Sequence, residues 1–132
     1  MKIVHTVVLP DNRQMLAAEM KRICDEEIAD LIFTTGGTGF SPRDWTPEAT
    51  TDIADRMVNG IPTAMLVNSL KITPRAMLTR AVSAIRKNTL IINLPGSPKA
   101  VKENLEFLLP NLPHGIEMLL DLKHDCAGTG KK

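Results

Sequence analysis

Residues Leu31-Ile32-Phe33-Thr34 form a short apolar run that passes directly into Thr35-Gly36-Gly37-Thr38-Gly39, and Thr46-Pro47-Glu48 opens a new segment soon after. A brief β-prone run bounded by glycine predicts a buried strand entering a loop. A hydroxyl residue, a proline at the first helical position and an acid facing the positive end of the dipole predict a helix start. Strand, glycine loop and helix in that order make up the repeating unit of α/β domains. The pattern recurs where Thr89 to Leu94 meets Pro95-Gly96 and then Ser97-Pro98, so an α/β sheet is the expected frame.

The remaining elements follow from periodicity. Val4 to Leu9 reads as a β-rich stretch that Pro10 and Asp11 interrupt. From Asn12, a capping residue, Leu16, Met20, Ile23 and Cys24 recur at helical spacing and predict one apolar stripe. The helix opened at Thr46 is expected to extend through Ile53 and Met57 to about Asn59-Gly60, and a second to cover Pro62 to Ser69. Ala81 to Ile85 and Thr89 to Leu94 are expected to be strands joined by a tight reversal at Arg86-Lys87-Asn88. A helix from Ser97-Pro98 should bury Leu105, Phe107 and Leu108 and stop at Pro110, before a last one from Pro113 to about Leu122. With 132 residues and no repeat or linker, the expectation is one domain over 1–125 with a flexible tail at 126–132.

Composition removes several function classes. Sixteen basic residues against fifteen acidic ones leave a net charge of +1, so no general field attracts nucleic acid or an anionic membrane, and any anion site must be local. The longest apolar run, Ala64-Met65-Leu66-Val67, is far short of the roughly 20 residues that span a bilayer. Cys24 and Cys126 have neither zinc-site spacing nor the number for a disulfide framework, which makes a reduced, cytoplasmic protein the expectation.

Two constellations can carry chemistry. Thr35, Gly36, Gly37, Thr38 and Gly39 lie at the carboxyl end of an expected strand, where open α/β sheets bind ligands; glycines let successive N–H groups turn toward a phosphate, and threonine hydroxyls add donors. A tight turn needing positive φ explains the same glycines. Asp44, just before the helix at Thr46, can coordinate Mg²⁺ opposite such phosphates, or else pair with Arg43 or serve the helix start. Asp11 lies at a similar junction, so both acids could meet at one sheet edge. In the second constellation, Pro95, Gly96, Ser97 and Lys99 surround a helix N-terminus whose dipole, N–H groups, hydroxyl and ammonium suit an anion, or form a well-capped helix with an exposed lysine. Two such loops in one small domain point to a bipartite pocket for phosphorylated ligands. His5, His114 and His124 show no ligand or triad spacing, and Ser97 lacks the nucleophile elbow.

The run TTGGTGFSPRDWTPEAT, residues 34–50, strongly resembles the molybdopterin adenylyltransferase family, which includes bacterial molybdenum cofactor biosynthesis proteins and the gephyrin G domain. Similarity continues through Ser69-Leu70-Lys71-Ile72-Thr73-Pro74, Met77-Leu78-Thr79-Arg80 and LIINLPGSPKAVKE at 90–103 to the helix near Pro113-His114. The resemblance implies a three-layer α/β molybdopterin-binding-type fold with a mostly parallel central sheet. It also implies a homotrimer that transfers AMP from ATP to the terminal phosphate of molybdopterin, releases pyrophosphate and requires Mg²⁺. By motif, the family's catalytic and metal-holding acids fall on Asp44 and Asp11, its nucleotide loop on Thr35 to Gly39, and its substrate contacts on Ser69, Pro95, Gly96, Ser97 and Lys99. A molybdenum-insertion enzyme is an implied partner. The resemblance begins at the family's second strand, so the chain is expected to lack the family's N-terminal strand and helix. A non-catalytic trimeric pterin-binding scaffold is the competing expectation.

Overall fold

The computed structural model describes residues 1–121. In chain order it contains α1 (Arg13–Asp25), β1 (Leu31–Thr35), α2 (Thr46–Asp52), β2 (Arg56–Met57), α3 (Gly60–Leu70), a 3-10 turn (Pro74–Leu78), β3 (Ser83–Arg86), β4 (Thr89–Leu94), α4 (Pro98–Leu108) and α5 (Leu112–Leu120). The strands form one mixed sheet in the order β1-β4-β3-β2. β1, β4 and β2 run in one direction and β3 runs against them, so β1 pairs with β4 in parallel and the other two pairings are antiparallel.

Alternation along the strands divides the core. Ile32 of β1 and Ile91 of β4 face Met20, Ile23 and Cys24 of α1, and Ala49 and Ile53 on the α2 side. On the other face Leu90, Ile92 and Leu94 join Met65, Leu108 and Leu112, with Phe33, Leu105 and Ile116 packed around them. Because successive strand side chains point to opposite faces, β4 can bury all six of its residues only with helices on both sides. The result is the expected three-layer α/β arrangement. Among the described residues no helix is long and apolar enough to cross a membrane.

Several local expectations hold. Asn12 caps α1 by accepting the Met15 N–H at 2.9 Å, and Ser97 caps α4 by accepting the Ala100 N–H at 3.1 Å. β3 and β4 form the expected hairpin, with Lys87 at φ 52° in its turn.

Three expectations are corrected. Residues 4–9 form no strand: they lie outside the sheet, and a β-rich sequence becomes a strand only where a neighbour accepts its hydrogen bonds. The helix opened near Thr46 ends at Asp52 instead of reaching Asn59-Gly60. The Asp55 N–H donates to Ile85 O and the Val58 N–H to Ser83 O, which draws Met57 into β2 beside β3. Trp45, not Thr46, holds the N-cap position of α2 and supplies no side-chain cap. The expected tail at 126–132, with Cys126 and His124, falls outside the described residues.

Candidate functional site

The parallel pairing of β1 with β4 sets Thr35 opposite Leu94, so the two glycine segments leave the sheet side by side. The Gly36 N–H donates to Leu94 O at 3.2 Å. Gly36 (φ 82°) and Gly96 are packed so closely that a Cβ on Gly96 would stand 3.3 Å from the Gly36 Cα. Gly37 (φ 70°) is pressed against Thr46, whose N–H donates to Gly37 O at 3.2 Å. The tight-turn explanation of these glycines holds, since the chain needs positive φ and close approach here, and the resulting loop lies at the carboxyl end of the parallel pair.

Beneath the loops, Asn93 is fully buried and ties the sheet to α2. Its amide nitrogen donates to Thr34 Oγ1 and Thr50 Oγ1, both at 3.0 Å, and its amide oxygen accepts the Val82 N–H at 3.1 Å. The Thr50 hydroxyl in turn donates to Thr46 O at 2.9 Å. This network holds the last residues of β1 and β4 against the first turn of α2.

Two hollows flank the glycine segment. One, about 480 Å³, is lined by Thr35, Gly96, Pro98, Val101, Lys102 and Leu105. It combines the N-terminal turn of α4 with an apolar helix face. The other, about 450 Å³, is lined by Gly39, Phe40, Ser41, Asp44, Trp45 and Arg80. Asp44 is partly buried; its Oδ2 accepts the Ser41 N–H at 3.0 Å, and no protein donor among the described residues reaches Oδ1.

The expected site residues are distributed as follows. Thr35, Gly36, Gly37, Gly39, Pro95, Gly96 and Ser97 gather around the two glycine turns. Thr38 is turned inward at 6% exposure, and its carbonyl accepts the Arg80 N–H at 2.8 Å. Asp11 is exposed at the entry to α1. The Arg13 guanidinium lies 5.7 Å from the ring centroid of Trp45 and donates to both carboxylate oxygens of Asp52 at the far end of α2, at 2.7 and 2.8 Å, and no hydrogen bond among the described residues joins Asp11 to Asp44. Lys99 is exposed in the first turn of α4, whereas Lys102 lines the first hollow. Ser69 lies in the last turn of α3, where its carbonyl accepts the Ile72 and Thr73 N–H groups; no hydrogen bond among the described residues joins it to the glycine turns.

Sequence reasoning missed two residues. Lys102 was legible in principle, since it shares a helix face with Pro98, Leu105 and Glu106 at three- and four-residue spacing. Arg80 had no local signal, because its partners lie far away in the chain. Its Nε–H donates to Gly39 O at 2.8 Å, an Nη2–H to Asp44 O at 2.6 Å, and an Nη1–H to the Glu48 carboxylate. That ion pair holds the Glu48 carboxyl below the usual carboxylate range against the opposing effect of burial.

Among the described residues no group of three or more His, Cys, Asp or Glu is arranged for a metal. A cation at Asp44 would therefore draw most of its oxygen ligands from phosphate and water, as Mg²⁺ does in nucleotide sites.

Comparison with known proteins places these features among relatives. The family model for a probable molybdopterin binding domain matches residues 1–114. Gephyrin of Dictyostelium discoideum is 57% identical over 89 residues, which cover 67% of this chain and 12% of that protein. Molybdopterin adenylyltransferase of Helicobacter pylori strain J99 is 41% identical over 116 residues, 88% of this chain and 66% of that protein. The chain thus spans less than two-thirds of the length of each. Among solved structures, the molybdopterin biosynthesis enzyme MoaB of Thermus thermophilus superposes with a TM-score of 0.77 at 47% identity, covering 83% of this chain and 69% of that one. The Mog protein of Mycobacterium ulcerans gives 0.76 at 34% identity, with 80% and 69% covered.

Proposed function

The chain belongs to the molybdopterin binding domain family, and from that premise we propose that it acts in molybdenum cofactor biosynthesis by transferring AMP from ATP to the terminal phosphate of molybdopterin. The observation that carries this reading is the packing of Gly36 on Gly96 at the ends of parallel neighbours, with a helix N-terminus on one side and Asp44 on the other. An oxygen of the pterin phosphate attacks the α-phosphorus of ATP. The bond to the bridging oxygen of the β-phosphate breaks, and pyrophosphate departs. A phosphate is already nucleophilic, so the protein's task is to position two anions and offset their charge.

In this reading Thr35 and the N–H groups of Gly36 to Gly39 hold the nucleotide phosphates. Asp44 and Asp11 would hold Mg²⁺, which when bound would supply charge neutralisation for the leaving pyrophosphate. Gly96, Ser97 and the α4 dipole take the pterin phosphate, with Lys99 and Lys102 as the nearby cations. Ser97 accepts from Ala100 as a cap and still has its hydroxyl proton to donate. Ser69 and Pro95 complete the proposed pterin contacts. The resemblance extends the proposal to a cytoplasmic homotrimer that hands the adenylated pterin to a molybdenum-insertion enzyme.

The decisive experiment incubates the full chain with molybdopterin, labelled ATP and Mg²⁺ and measures adenylated pterin and pyrophosphate. Equimolar formation of both is expected. Pterin binding without transfer would leave a scaffold role and overturn the catalytic reading. Light scattering tests assembly separately, and a monomer at micromolar concentration would overturn the trimer.

A further inference from the structure

We propose that Arg80 is the positioning residue of the Asp44 loop: it acts on the nucleotide through the loop's carbonyl groups. The proposal rests on the site reading above and adds a residue that the sequence did not single out. An arginine lining a phosphate hollow would ordinarily be read as an anion ligand. Here each of the three guanidinium nitrogens already donates one hydrogen to the chain, which commits three of its five N–H groups. Nε meets Gly39 O at 2.8 Å, Nη2 meets Asp44 O at 2.6 Å, and Nη1 meets Glu48. The backbone N–H of Arg80 adds Thr38 O at 2.8 Å. One residue thus clasps the loop at Thr38, Gly39 and Asp44 and anchors it to the first turn of α2 at Glu48.

Geometry explains why the loop needs such a clasp. Gly39 lies so close to the Asp44 carboxylate that a Cβ there would stand 3.0 Å from Oδ2, and the same oxygen holds the Ser41 N–H at 3.0 Å. The carboxylate is therefore set by the path of the main chain from Gly39 to Asp44, whose two ends Arg80 grips. Lysine carries the charge but lacks the planar fork, so it can keep the Glu48 pair and not both carbonyl contacts.

Trp45, the single tryptophan of the sequence, adjoins Asp44 and lines the same hollow, which makes its fluorescence a direct reporter of the loop. Arg80→Lys and Arg80→Ala are to be compared with the parent for acrylamide quenching of Trp45, and for kcat and KM(ATP) in AMP transfer. Both variants are expected to raise quenching and to lower kcat about 10- to 100-fold, the range for a displaced catalytic group. KM should change far less, and millimolar guanidinium should partly restore kcat in Arg80→Ala. Should Arg80→Ala fail to fold, Arg80→Lys alone decides. Parent-like quenching in a folded variant, or altered quenching with parent kcat, would overturn the proposal. If the parent transfers no AMP, the functional reading fails by itself and quenching still decides whether Arg80 holds the Asp44 loop.

Discussion

At Gly37 an added Cβ would collide with Oγ1 of Thr46, and φ is 70°, a conformation that side chains rarely adopt. Gly37→Ala is therefore expected to cost about 2 kcal/mol or more, by backbone strain and displacement of α2 together. Gly60, at the start of α3, is the counter-case: a Cβ there meets nothing within 4 Å, and its φ is not positive. Gly60→Ala should be neutral or stabilising by up to about 1 kcal/mol. Urea unfolding of both variants checks the contrast. Asp44 is expected to behave differently again. Asp44→Asn keeps an oxygen to accept the Ser41 N–H, so the fold should survive with its melting temperature nearly unchanged. The lost charge should slow AMP transfer by about a hundredfold or more while pterin binding persists. Equal rates in parent and variant would make Asp44 a structural residue. The glycine turn was legible because a glycine run after a strand carries its own conformational reason. The preference for Lys102 over Lys99 in the hollow was a question of helix phase, which spacing alone left unaddressed.

Between elements, Asn93 is the joint. From β4 it reaches β1 through Thr34, α2 through Thr50 and the entry to β3 through Val82. Asn93→Leu keeps the volume and removes every one of these bonds, leaving the fully buried Thr50 hydroxyl and the partly buried Thr34 hydroxyl and Val82 N–H short of a partner. A destabilisation of about 3 kcal/mol is expected in denaturant unfolding, at roughly 1–3 kcal/mol for each unsatisfied group. Because the same bonds hold the two loop bases together, ATP affinity should fall even at temperatures where the variant remains folded. The helices α1 and α4 were legible from their caps and stripes, and the β3–β4 hairpin from its two apolar runs. β2 was not, since Arg56-Met57 becomes a strand only because β3 offers Ile85 and Ala84 as partners.

For the whole molecule, the far end of the sheet is tied by charge. Asp25 at the end of α1 accepts from Arg86 at 2.9 and 3.2 Å and from Lys21 at 2.8 Å, with Lys87 at 3.2 Å. Arg86 foremost, then Lys21, holds the Asp25 carboxyl well below the usual range, and pairing lowers Glu19 and Glu48 in the same way. A carboxyl depressed in the fold contributes stability above its unfolded pKa, about 4, and that contribution is lost as pH falls through the folded value. The urea midpoint is therefore expected to drop on acidification below about pH 4, and Asp25→Asn should start lower at neutral pH and respond less to acid. An identical acid limb in parent and variant would remove Asp25 from the account. At this scale the sequence by itself determined which segments alternate between strand and helix, where the glycine turns fall and which acid follows the first of them. These are properties of neighbouring residues, set by periodicity, capping and permitted φ. Only the tertiary structure decided that β1 and β4 lie side by side, that Gly36 and Gly96 share one site, that residues 4–9 have no strand to join, and that Arg80 closes over the Asp44 loop. Each of these is a choice of partner across a long stretch of chain, made by the burial and hydrogen bonding of the whole fold, and no local pattern encodes it.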